Sequence, residues 1–483
     1  MELRQGVAFC PGLCVTAGAA PGNHPADKVR ALQRRNSVTH AKKTSKRSPG
    51  ESRDHVAALG GRPEMNHPVD VPHDAPPGAR PTNRPRPPRG RLLGLDAVRA
   101  LAIVGMVYMH VSPTGWLSPA PARDAPAALE WVEHAVSGRS MSLFVLMAGI
   151  SVALMTGGPV PLDGDRLTTA RKRLAIRAAM LLLISLCVDQ LSGMNLSILE
   201  FYAVWLLVLI PLVRLRPGTL VAAAGVLGAA LPVFCFVVLN YGRTWAISPM
   251  NTAGAEPAFG LTLLLNPQDW LAKLHQLLIG GGFQTPYAIP LLLAGLAIGR
   301  LDLRSPAVRG KMAGCGALLV AVGWLVSWVA LVPLGAGRAL AAMMESAGGP
   351  MVQPWASVLT LPPHQLYALS IPMAPMMIGV GLLLLAGLLT LLERPGWQRA
   401  LRPLTAAGSL ALTWYAAHQV FIERVAGDPP YAFTLFAGMA VFAFVVSPLW
   451  LRWIRRGPLE WLVHRVVVMV APDRTAAARH KAA

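Results

Sequence analysis

From residue 91 onward, apolar runs of around twenty residues recur between short polar connections. A run of that length matches the roughly 20 residues a helix needs to cross the hydrocarbon core of a bilayer. The pattern predicts ten helices, over 93–112, 140–157, 174–191, 197–213, 219–239, 286–300, 312–334, 364–392, 404–422 and 432–451. The sixth is short and interrupted by Pro290, and the apolar stretch from Phe259 to Leu265 is too short to span and is expected in the interface. The expected class is therefore all-α: a polytopic membrane helix bundle of about ten transmembrane helices.

Composition agrees. Of 483 residues 53% are hydrophobic and 14% charged, against about 25% charged in soluble domains. The formal charge of +20 lies in the two tails and the short loops, so it does not point to nucleic acid. Residues 1–90 are rich in Arg, Lys and Pro, as in Pro81-Thr-Asn-Arg-Pro-Arg-Pro-Pro-Arg89. Such a segment buries too little apolar surface to offset its ordering entropy, and it is expected to be a disordered cytoplasmic tail. It is either a solvated extension or a segment that binds anionic headgroups. Its first ten residues lack the sustained apolar core of a cleaved signal peptide. The membrane domain is expected over 91–468, followed by a flexible tail over 469–483. Cys10, Cys14, Cys187, Cys235 and Cys315 show no metal-ligand spacing, and the last three read as small hydrophobes within spans. No metal is predicted.

Lys and Arg in the connections set the expected orientation. With the amino terminus inside, the inner loops carry thirteen, including Arg171, Lys172, Arg173, Arg300, Arg304 and Arg309, against six in the outer loops. The excess places both termini in the cytoplasm.

Within that frame the first helix, Arg91 to His110, carries the most chemistry. Asp96, Arg99 and His110 share one face, because Arg99 and His110 are about three helical turns apart. The rise of about 1.5 Å per residue separates guanidinium and imidazole by roughly 16 Å along the axis. Asp96 and Arg99 fall at the cytoplasmic end and His110 at the outer end. Ionisable groups inside a span are costly and commonly face a bundle interior. Two plainer readings stand beside this one: a helix-start ion pair at the headgroups, and an interfacial histidine.

Asp96-x-x-Arg99-Ala-x-Ala, with ten residues between Arg99 and His110, resembles the opening helix of the transmembrane acyltransferase superfamily. That superfamily includes the bacterial acyltransferase family three and the heparan-alpha-glucosaminide N-acetyltransferase-like proteins. Four further segments are similar to the second branch and to a related bacterial family of unknown function. They are Gly138–Gly149, Pro286–Arg300, Gly408–His418 and Arg456-Gly-Pro-Leu-Glu-Trp461.

The resemblance implies a membrane acyltransferase that takes acetyl-CoA or another acyl-CoA as donor and a carbohydrate or cell-envelope acceptor at the outer face. It implies His110 as base, since imidazole titrates near neutrality. Arg99, a fork for phosphate oxygens, suits the nucleotide end of the donor. Asp96 then orients Arg99 or binds no ligand. His418 in Tyr415-Ala-Ala-His418 orients His110, contacts the acceptor, or packs as a hydrogen-bonded core histidine. Arg139 holds an acidic acceptor or snorkels to the headgroups. Asp189 and Glu200 read as polar groups of an outer turn, and Ala148-Gly149-Ile150-Ser151 as a close helix contact. The expected location is the cell membrane, with lipids and the acceptor as partners; homo-oligomerisation stays open. Two other classes also remain: a transporter whose Pro286, Pro290, Pro372 and Pro375 break helices around a midplane site, and a non-catalytic scaffold.

Overall fold

The computed structural model describes residues 91–111, 132, 136, 138–193, 198–241, 258–280, 285–345, 355–361, 370–422, 424 and 432–472. The expected tail over 1–90, most of the outer loop 113–139, and His134, His364 and Glu423 lie outside them. Every regular element among the described residues is helical. The principal helices are α1 (Leu93–Val111), α2 (Arg139–Met155), α3 (Gly164–Ser192), α4 (Ile198–Leu212), α5 (Pro217–Tyr241) and α6 (Thr285–Ile298). They continue with α7 (Pro306–Leu331), α8 (Met373–Leu391), α9 (Arg402–Ser409), α10 (Ala411–Phe421), α11 (Ala432–Trp453) and α12 (Pro458–Val470). Six of them, α1, α3, α5, α7, α8 and α11, are long and apolar enough to cross a membrane, while α2, α4 and α6 are shorter apolar helices.

Burial sorts these helices into a centre and a rim. α2 and α6 bury nearly every residue on all faces, and 78% of the α1 window is buried, against 22% for α7 and 6% for α11. A helix that is apolar all round belongs inside other protein or in lipid; α1, α2 and α6 take the first position and α7 and α11 the second. Small residues let the centre close. A methyl group added at Gly149 would collide with the Leu292 carbonyl, and one at Gly295 with the Leu146 carbonyl, so α2 and α6 cross backbone to backbone. This is the small-residue contact expected where no hydrophobic effect drives helices together.

Buried polar groups lock one end of this centre. Arg300, just beyond α6, donates from Nη1 to the carbonyls of Ala153, Thr156 and Gly158, and from Nη2 to Thr156 Oγ1 and the Val213 carbonyl, at 2.7–3.2 Å. It thereby caps the orphan carbonyls where α2 and α4 end. Arg309 does the same at the end of α8 through the Leu389 carbonyl, and pairs with Glu393. α3, with 29 residues, is about 43 Å long at 1.5 Å per residue and exceeds the hydrocarbon core, so its Arg-rich first turns project beyond it. There Arg173 Nε donates to the Ala471 carbonyl at the end of α12 at 3.0 Å.

Several expectations change. The predicted helix 404–422 is two helices, α9 and α10, broken at Leu410. α12, for which no helix was expected, lays Val463 and Val467 against the bundle. α6 runs through Pro290 without interruption, because its neighbours bury it on every side. Pro286 lies in the first turn of α6, Pro372 is the residue before α8, and Pro375 lies in its first turn, where a proline costs no helical hydrogen bond. Pro286, Pro372 and Pro375 therefore mark helix starts, whereas Pro290 lies inside α6. Cys315 is exposed on α7 rather than packed in a core.

Orientation is checked by single-cysteine labelling after the native cysteines are replaced. Leu191→Cys, exposed at the end of α3, is expected to react with an impermeant maleimide in intact cells. Asp302→Cys, exposed beyond α6, is expected to react only after permeabilisation. The opposite pattern would place His110 on the cytosolic side.

Candidate active site

Two polar clusters occupy opposite ends of α1. At its start, Asp96 is buried at 2% exposure. Its carboxylate accepts from Arg91 Nε at 2.5 Å, Arg91 Nη2 at 3.0 Å and Arg99 Nη1 at 3.3 Å. Arg91 is thus the closer partner, and a buried carboxylate is stable here only because it is paired. Arg99 also donates from Nη2 to Ser151 Oγ at 2.5 Å, and that hydroxyl donates to the Met147 carbonyl at 2.6 Å. These bonds take two of the five N–H donors of a guanidinium. The Arg99 side chain is 28% exposed, so the fork is held on one side and open on another.

At the far end, His110 Nδ1 and His418 Nε2 are 2.9 Å apart, with the two rings stacked at 5.2 Å between centroids. His418 Nδ1 lies 3.2 Å from the Trp414 carbonyl, which can only accept. That contact assigns the His418 proton to Nδ1 and leaves Nε2 as an acceptor. His110 Nδ1–H is then the donor, and His110 Nε2 carries the unprotonated lone pair. In that tautomer the hydrogen bonds run in one direction, from His110 to His418 and on to the backbone of α10.

The break between α9 and α10 places His418. A methyl at Gly408 would collide with the Asp96 carbonyl, so α9 lies directly on α1. The chain restarts at Ala411 with no capping side chain of its own. Glu460, from the first turn of α12, supplies the cap from 47 residues away. Its Oε1 accepts from the backbone N–H of Leu412 at 2.7 Å and Thr413 at 3.1 Å, and Oε2 accepts from Thr413 Oγ1 at 2.5 Å. Those N–H groups are two of the orphan donors at the start of α10. Farther along α10, Tyr415 OH accepts from Ile198 N at 2.9 Å and satisfies the start of α4.

Aromatic rings join the two ends. His418 meets Tyr415 edge-on at 5.2 Å, Tyr415 lies 6.3 Å from Phe144, and Phe144 lies 5.1 Å from Tyr202. Tyr202 donates to the Phe144 carbonyl at 3.2 Å and lies within electrostatic range of Arg99.

Of the residues proposed from sequence, Asp96 joins Arg99, and His110 joins His418. Arg139 stands apart at the start of α2, half-buried and within electrostatic range of Tyr287. Glu200 forms a buried ion pair with Lys273 at 2.6 Å, which tethers the segment after Thr262–Leu265 to α4. Lys273, in the connection between α5 and α6, is thus an interior partner rather than a solvated loop charge. Ser151 and Glu460 were missed as polar partners. Ser151 is the one hydroxyl in a run otherwise read as packing, and Glu460 lies in the Arg456–Trp461 segment to which no chemistry was assigned. Among the described residues no group of three His, Cys, Asp or Glu could hold a metal ion.

Comparison with known families follows this division. Residues 91–251 match the family profile described as heparan-alpha-glucosaminide N-acetyltransferase, catalytic, and residues 321–470 match a protein of unknown function (DUF418). The chain thus resembles the heparan-alpha-glucosaminide N-acetyltransferase-like membrane proteins, and an acetyltransferase-type family is the relation its first half carries. No curated protein matches the chain. His110 comes from the first matched segment and His418 from the second, so the histidine bond joins the two.

The role of Glu460 is open to a stability test. Glu460→Ala strips the start of α10 of its acceptor and is expected to cost about 0.5–2 kcal/mol, the usual range for a lost cap. It should appear as a lower Tm in detergent, with Glu460→Gln, which retains an acceptor oxygen, recovering most of the loss. An unchanged Tm in Glu460→Ala would show that water caps α10 equally well.

Proposed function

We propose that this protein is a multi-pass membrane acyltransferase that moves an acetyl or other short acyl group from acyl-CoA to a carbohydrate or cell-envelope acceptor at the outer face. The directed His110–His418 bond carries the reading, because it leaves His110 Nε2 free to accept a proton. Arg99 offers the remaining N–H donors of its fork to the donor's phosphate groups, while Asp96 and Ser151 fix its plane. Asp96 positions Arg99 and is itself neutralised by Arg91. Arg139 is the candidate contact for an acidic group on the acceptor.

In the transfer, His110 Nε2 removes the proton from the acceptor hydroxyl or amine as its oxygen or nitrogen attacks the thioester carbonyl. The charge that forms on His110 is stabilised through its Nδ1–H bond to His418, whose own Nδ1–H is held by Trp414. Collapse of the tetrahedral adduct breaks the C–S bond, and the departing thiolate takes the proton from His110 Nε2. A thioester is already activated, so no protein nucleophile is required. Pro286, Pro372 and Pro375 lie at helix starts while Pro290 lies within α6, and a transporter stays the alternative reading.

His110→Gln, of similar size and polarity, is expected to retain donor binding and to lose about a hundred- to ten-thousandfold in transfer. The measurement is thiol release from an acyl-CoA in proteoliposomes supplied with envelope glycan fractions. Robust release that is unchanged in His110→Gln would remove His110 as the base.

Arg99→Ala is expected to weaken CoA-thioester binding roughly ten- to a hundredfold, the share of about 1.5–3 kcal/mol for a charged hydrogen bond. Arg99→Lys should recover part of it, since a point charge replaces a fork. Asp96 keeps its closer partner Arg91 in both variants, so folding is retained. Equal affinity in wild type and Arg99→Ala, by calorimetry on folded protein, would take Arg99 out of the donor site.

A further inference from the structure

A groove of about 710 Å³ opens between α1, α9, α10 and α11, and His418 forms part of its wall. Ala100 and Val107 line it from α1, Ala417 from α10, and Gly438 and Met439 from α11. A methyl group added at Gly438 would meet nothing within 4 Å, so this glycine faces empty space rather than a packed neighbour. The groove runs beside α11, the least buried of the long helices, whose Phe436 still meets Tyr108 of α1 edge-on at 5.2 Å. Lower down, Trp414 Nε1 donates to Ser447 Oγ at 2.8 Å and pins the two helices together.

Polarity is confined to one end. His418 lies in the last turns of α10 and Thr434 at the start of α11, so both sit at the level of the α10–α11 connection. With the Trp414 N–H engaged by Ser447, the rest of the lining is hydrocarbon and aromatic carbon. From Thr434 to Phe444 the groove follows ten residues of helix, about 15 Å at 1.5 Å per residue. That is half of a hydrocarbon core of roughly 30 Å, or one leaflet. A cleft of this kind, within apolar helices, one leaflet deep and polar only at its outer rim, matches an amphiphile lying along the membrane normal.

We propose that the groove binds the hydrocarbon tail of a membrane lipid and holds its headgroup against the His110–His418 pair. The lipid enters sideways from the bilayer, since the groove borders α11, the least buried of the long helices. Taking that lipid's headgroup as the acyl acceptor rests on the transferase reading above; tail binding does not. A lipid-borne acceptor would bring its hydroxyl or amine to His110 without crossing the polar outer loops, and the tail would supply binding energy far from the reacting atoms.

The test uses the full chain in phosphatidylcholine vesicles doped with a phospholipid that carries a diazirine in its tail. After illumination, cross-linked peptides are mapped by mass spectrometry. Labelling at Ala417 and Met439 is expected to exceed that at Val226 on α5 and Leu318 on α7, two side chains exposed on the rim. Gly438→Trp, which fills the open space, should cut groove labelling severalfold and leave Val226 and Leu318 unchanged. Ala417→Phe, blocking from the opposite wall, should do the same and guards against a folding defect in either variant. Groove labelling no stronger than at Val226 and Leu318, or insensitive to both variants, means annular lipid only and overturns the proposal. Labelling needs no acyl-CoA, so the two readings fail separately. Absent thiol release alongside strong groove labelling counts against the transferase and keeps the groove, while thiol release with annular labelling overturns the groove alone.

Discussion

Hydrocarbon offers no hydrogen bonds, so each polar group carried into it must find a partner within the protein. That constraint organises this bundle. Arg300 closes the carbonyl ends of α2 and α4, Glu460 closes the amide end of α10, and Tyr415 closes the start of α4. In each case the partner comes from a distant part of the chain, and so the satisfaction of a helix end is also a long-range tether. Asp96 obeys the same rule, buried and held by two arginines.

The histidine pair depends on those tethers. His110 sits near the end of α1, and His418 lies on α10, which follows α9 across the break at Leu410. Close packing at Gly408 fixes α9 on α1, and Glu460 caps the start of α10. The bond between the rings therefore joins the segment related to the acetyltransferase catalytic part with the segment related to a family of unknown function. Neither half of the chain holds both rings.

The contrast between centre and rim sets where chemistry can occur. α1, α2 and α6 pack tightly through small residues and hold both clusters in place, as a site with defined geometry requires. α11 belongs to the rim, and the groove lies between it and α1, α9 and α10 beside His418.

Much of this protein was legible in its linear order of residues. Apolar run length determined the helical class and the approximate place of α1 to α8 and α11, because the bilayer imposes one length scale on every spanning helix. The helical period put Asp96, Arg99 and His110 on one face, since that depends only on neighbours along a single helix. Gly149 was readable as a close contact for the same local reason. The partners were not readable. Ser151 for Arg99, His418 for His110, Lys273 for Glu200 and Glu460 for α10 lie from 47 to 308 positions away. Hydropathy carries no information about which helix faces which. The break at Leu410 was hidden because an apolar run looks the same whether continuous or restarted, and only a carboxylate arriving from α12 makes the restart stable. Tertiary structure decided the direction of the histidine bond as well, since the tautomer is set by a backbone carbonyl that only the folded α10 presents.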